Sequence, residues 1–134
     1  MPSTIPLKVA IYDNPGILHW SLFIDVEKTS ENTTIQILGA RQRYFPEIKT
    51  PAEARISNSL IELRTLCAID VAAIETVKNI AYATPIRNHE ADYSCQDFVL
   101  DVLNRLEEEL IIDKNSVDYK SKRDALKAKR ESWQ

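Results

Sequence analysis

The sequence predicts an α+β domain: a mainly antiparallel sheet with helices packed on one face. Strand-like runs rich in branched and aromatic residues, separated by turn signals, occupy the first half of the chain. Segments with apolar residues at spacings of three and four occupy the second half. Strands first and helices later is the order of segregated layers, not of alternating βαβ units. A chain of 134 residues fits one domain over 1–134, with 115–134 as a basic C-terminal helix or tail.

LKVAIYD (7–13) reads as the first strand, and Asn14-Pro15-Gly16 as a turn. LHWSLFIDV (18–26) is the second strand, apolar on both faces and therefore central. EKTSENT (27–33) is a polar loop, and TIQILGA (34–40) the hairpin partner of the second strand. RYFPEI (43–48) is a short edge segment, because Pro46 lacks the N–H that a central strand requires. SLIELRTLCAI (59–69) is another strand, with Ile61, Leu63, Thr65 and Cys67 on one side. Asp70 caps a helix over 71–83, whose buried stripe is Val71, Ile74, Val77 and Ile80 and which Pro85 ends. A second helix over 95–112 buries Phe98, Val99, Val102, Leu103, Leu106 and Leu110, with Asp92 or Ser94 as its cap and solvated Glu107, Glu108 and Glu109 near its end. A last helix begins near 116, and its six basic against three acidic residues read as a solvated face or a contact for an anionic surface.

Composition removes several function classes. A net charge of −3 is too mild to imply a nucleic-acid partner. No apolar run approaches the ~20 residues that cross a bilayer, and the N-terminus lacks the basic start and apolar stretch of a secretory signal. Two cysteines are too few for a disulfide scaffold, so the expected setting is reducing and cytoplasmic. His19, His89, Cys67 and Cys95 show no metal-ligand spacing, and two glycines are too few for a phosphate loop or dinucleotide fingerprint. No metal and no cofactor is expected; a small-molecule, lipid or peptide substrate is.

Cys95 precedes Phe98 and Val99 by three and four positions, so it shares the inward face of the second helix at its first turn. The helix dipole there lowers a thiol pKa and favours the thiolate that attacks carbonyl carbon. His19 is the candidate base, provided that the strand face bearing His19, Ser21, Phe23 and Asp25 meets the helix. His89, in the loop RNHEADYS, is the alternative base. Gln36, flanked by Ile35 and Ile37 on the neighbouring strand, is the candidate orienter of the imidazole, and the Cys95 backbone N–H the candidate oxyanion donor. The plain alternatives are a small packed cysteine, a half-buried strand histidine and a solvent-facing glutamine. Cys67, among Leu66, Ala68 and Ile69, reads as core.

HWSLFI followed by a hairpin strand, and later SCQDFV opening a helix, resembles the circularly permuted branch of the papain-like thiol enzymes. That group holds the lecithin retinol acyltransferase-like proteins and relatives of the NlpC-type peptidases. The matching residues are His19-Trp20 and Cys95-Gln96-Asp97-Phe98-Val99, and the likeness covers roughly 7–112. The chain is also similar to small fungal proteins that pair HWSLF-like and CQDFV-like motifs. The resemblance implies a permuted papain-like fold and a Cys–His hydrolase or acyltransferase acting through an acyl-enzyme. Two positions depart from the group's pattern: Gln36 stands where a second histidine is usual, and Ser94 where asparagine is common. The first departure leaves a catalytically inactive binding module as the alternative.

Overall fold

The computed structural model describes residues 3–28 and 30–133. Five strands form one antiparallel sheet: β1 (Thr4–Tyr12), β2 (His19–Ile24), β3 (Thr33–Leu38), β4 (Phe45–Lys49) and β5 (Leu60–Asp70), in the order β4-β3-β2-β1-β5. Three helices follow: α1 (Ile74–Ala83), α2 (Cys95–Glu108) and α3 (Val117–Lys127). The fold is therefore α+β. β2, apolar on both faces, is the middle strand, and β4, which carries Pro46, is an edge.

The pleat sorts side chains into two layers. Leu7, Val9 and Ile11 of β1, Trp20, Leu22 and Ile24 of β2, and Ile35 and Ile37 of β3 enter the main core with Phe98, Val99, Val102, Leu103 and Leu106 of α2. Helix α2 lies over β2 and β3, and α3 over β5 through Tyr119 and Leu126. Ala10 and Phe23 face the other way, into a small cluster with Ala54. Because Tyr12 pairs with His19 and Lys8 with Phe23, His19, Ser21 and Phe23 share the face turned away from α2. The condition on which His19 was expected to meet the helix is thus reversed: Trp20, Leu22 and Ile24 face α2, the larger apolar volume taking the larger core.

Four smaller expectations change. The α-helix expected over 71–83 starts at Ile74, and Val71, expected in its buried stripe, is exposed. In β5, Leu7 pairs with Cys67 but Lys8 with Thr65, so Leu66 is the extra residue of a bulge. The bulge puts Leu66 in the main core while Leu63 packs on the small cluster, and a second register shift, between the Ile11–Glu62 and Tyr12–Leu60 pairs, leaves Ile61 exposed, so the expected single face over 61–67 is broken. Helix α2 stops at Glu108, and Leu110, with φ of 61°, turns outward while Ile112 takes the core place instead. Glu107 is buried, not solvated: its carboxylate accepts from the Tyr119 hydroxyl at 2.7 Å and from Arg123 at 3.0 Å, fixing α3 to α2.

Caps set the helix starts. Asp70 accepts from the Ala72 N–H and opens a 3-10 turn (Val71–Ala73) that leads into α1. Ser94 caps α2 in a capping box, its hydroxyl satisfying a first-turn N–H while Asp97 accepts from the Ser94 N–H. This fixes the backbone on either side of Cys95.

On the face away from the helices, the nearly inaccessible Asp25 accepts from Lys8 at 2.8 Å, from the Glu27 N–H at 3.0 Å, and from Arg55. Burial pushes its pKa up, but the Lys8 and Glu27 donors and Arg55 pull harder, and the net shift is downward. A depressed carboxylate pKa contributes stability that is present above the unfolded value and lost as pH falls through the folded one. Acid titration of unfolding is therefore expected to show stability falling below about pH 4, and Asp25→Asn to flatten that fall. An unchanged acid limb in the variant counts against this role.

Candidate active site

β2 and β3 pair at Leu22–Ile35, Phe23–Thr34 and Ile24–Thr33, and the ladder stops there. Beyond it β3 stays with β4 through Gln36–Glu47, Ile37–Pro46 and Leu38–Phe45, while β2 stays with β1 up to Tyr12–His19. The sheet splits between His19-Trp20-Ser21 and Gln36-Ile37-Leu38, and the start of α2 lies against the split. A cavity of about 480 Å³ opens here, and Cys95, His19, Gln36, Tyr12, Tyr44 and Trp133 all line it. His19 and Cys95 line it from opposite layers, on either side of the split.

Cys95 is the first residue of α2, and 6% of it is exposed. Its S–H donates to the Leu18 carbonyl at 3.8 Å. Burial pushes the thiol up to about 11, although the backbone N–H groups of Trp20, Gln96 and Cys95 itself favour the thiolate. The helix start alone therefore does not produce the low thiol pKa expected from the dipole; desolvation outweighs it. As the first residue of the helix, Cys95 has an N–H with no carbonyl one turn back to bond.

His19 Nε2 lies 2.7 Å from Gln36 Oε1, and Gln36 Nε2 donates to Glu47 at 2.9 Å. A carboxylate only accepts, so Glu47 takes the amide NH₂ and turns the Gln36 oxygen toward the imidazole. His19 Nε2 must then donate, and in the neutral ring the lone pair resides on Nδ1. The Tyr12 ring packs beside the imidazole, centroids 5.6 Å apart. His89 is 78% exposed, lies beside Glu90, and is not among the cavity residues.

The segment after α3 folds back onto this site. The Glu131 carboxylate accepts from the Leu18 N–H at 2.9 Å and from Gln96 Nε2 at 3.0 Å, while the Glu131 N–H donates to Gln96 Oε1 at 2.7 Å. Gln96 Nε2 also donates to Leu18 O at 2.9 Å. Arg130 clamps Asp97 at 2.9 and 3.0 Å and Asp92 at 3.0 Å. Trp133 donates from its backbone to Asp92 and from its indole to Tyr93 O, and forms one wall of the cavity. Gly16, with φ of +89°, gives the Asn14-Pro15-Gly16 turn its shape, and a side chain there would crowd the Trp133 ring at 3.3 Å. Sequence reasoning missed Glu47, Gln96, Glu131 and Trp133. Only Gln96, a polar residue beside Cys95 in an apolar stripe, carried a local signal.

Among the described residues no helix is long and apolar enough to cross a membrane, and no group of three or more His, Cys, Asp or Glu is placed to hold a metal ion. Residues 7–113 match the family described as "Family of unknown function (DUF6540)", and the chain belongs to that family. No curated protein and no solved structure matches the chain.

Proposed function

We propose that this member of DUF6540 is a thiol-dependent hydrolase or acyltransferase, working through a Cys95 acyl-enzyme on an amide, ester or thioester. The supporting observation is the shared cavity: Cys95 and His19 both line it, and the bond to Gln36 leaves His19 Nδ1 as the basic nitrogen. In this reading Nδ1 takes the thiol proton as sulfur bonds to the carbonyl carbon. The Cys95 N–H donates to the developing oxyanion. The imidazolium then protonates the departing group as its bond to carbon breaks, leaving a thioester that water or a second acceptor resolves. Glu47, Gln36 and His19 form a line of hydrogen bonds that holds the ring in the required tautomer. The two free thiols, Cys67 and Cys95, fit a reducing intracellular setting.

Incubation with 4-nitrophenyl acetate is expected to release nitrophenolate and leave an acetyl group that peptide mapping places on Cys95. Cys95→Ser is expected to abolish the thioester adduct. Acetylation confined to lysines, or equal on Cys67 and Cys95, would sink the proposal. A second reading, a binding module without turnover, draws on the burial that pushes the Cys95 thiol up to about 11 and on glutamine at position 36. It requires Cys95→Ser to retain ligand binding and the ester to leave no adduct.

A further inference from the structure

Taking Cys95 as the reacting centre, we propose that the cavity accepts small-molecule acyl substrates that carry a carboxylate, which Arg41 binds from the wall it forms with Trp133. Arg41 lines the cavity together with Cys95. Its Nε donates to Ala91 O at 2.6 Å, and its guanidinium lies over the Trp133 ring, 5.4 Å from the centroid. Trp133 is in turn fixed by its bonds to Asp92 and Tyr93. The guanidinium is thus held by one nitrogen and one face. Among the described residues no carboxylate pairs with Arg41, Arg43 or Arg105, whereas Arg55, Arg64, Arg87, Arg123 and Arg130 carry acidic partners; of the three without one, Arg41 alone lines the cavity. A guanidinium held this way, its terminal N–H groups unused among the described residues, is suited to a planar anion.

Position agrees with this. Arg41 leaves the β3 end, and Asp13, the carboxylate of the same cavity, leaves the β1 end, with β2 between them. The split between β2 and β3 keeps their chain positions apart. Tyr44 lines the cavity with Arg41 and Cys95, and burial raises its hydroxyl pKa. A cavity of about 480 Å³ has room for a small acid and its acyl carbon.

The test compares alkylation of Cys95 by iodoacetate and by iodoacetamide, near-isosteric reagents that differ in charge, each displacing iodide with formation of an S–C bond. Rates are read on the Cys95 peptide, in the wild type and in Arg41→Gln and Arg41→Lys. The iodoacetate-to-iodoacetamide ratio is expected to fall about tenfold in Arg41→Gln, the worth of one charged hydrogen bond, and less in Arg41→Lys. A ratio that moves less than about twofold in Arg41→Gln overturns the proposal. Any accessible thiol yields this ratio at sufficiently high pH, so it is readable even where the Cys–His reading fails; that reading is judged on the absolute rate near neutrality and on ester acylation.

Discussion

At neutral pH, iodoacetamide is expected to label Cys95 at least 100-fold faster than Cys67, and His19→Ala to remove the difference. Burial pushes both thiols up to about 11, so without help each would hold only about one thiolate in 10⁴ at pH 7. Access alone favours Cys67, which is half-buried where Cys95 is buried. A faster Cys95 therefore requires a local acceptor for its proton. Nδ1 of His19 is that acceptor in the proposed chemistry, and general-base assistance is worth about 10²–10⁴. Gln36→Leu removes the carbonyl that fixes the tautomer, and should lower the Cys95 rate less than His19→Ala does, while leaving Cys67 unchanged. Peptide-resolved mass spectrometry between pH 5 and pH 11 measures both cysteines in one sample. If both cysteines rise together toward alkaline pH, indifferent to position 19, the catalytic reading is lost.

Trp20→Ala is expected to destabilise the fold by about 3–5 kcal/mol. Trp20 is 1% exposed and the largest fully buried side chain, in the core cluster that joins β2 and β3 to α2. It sits where the β2–β3 ladder has ended, so on that side only packing ties β2 to its neighbour, while Trp20 stays paired with Ile11 of β1. Against a typical stability of 5–15 kcal/mol, this is a large share. Thermal unfolding should move down by about 10 °C or more, and the void opens beside Cys95. Trp20→Phe, which keeps most of the volume, should cost far less. A shift of only a few degrees in Trp20→Ala would mean that the core beside the split is not tightly packed.

The fold was legible because most local signals agreed with the global arrangement: Pro46 on an edge, Asp70 and Ser94 as caps, and the three-and-four spacing of Phe98, Val99, Val102 and Leu103. The failures of pattern share one cause, since period alone does not show where a ladder slips or stops; the burial of Glu107 and the desolvation of the Cys95 thiol are tertiary effects. The Leu66 bulge flips the face of β5, and Leu110 falls past the helix end although the stripe runs on. At the site, the pairing of His19 with Gln36 could be read from adjacent strands, but their face could not. HWSLFI is buried on both sides, and the side with Trp20, Leu22 and Ile24 takes the larger core. Glu47 became visible only through the Gln36–Glu47 register, and Trp133 only through a fold-back that no local pattern announces.

The bond from the Leu18 N–H to Glu131 joins positions separated by 113 residues. A cavity wall stitched from segments this far apart in sequence inherits the fate of its loosest stitch: local opening of the segment 130–133 is expected to release Leu18, Gln96 and the indole wall together, and to expose the Cys95 sulfur without global unfolding. Hydrogen exchange at the Leu18 amide should thus run in step with the breathing of the chain's last residues, even though its neighbours on the central strand stay protected.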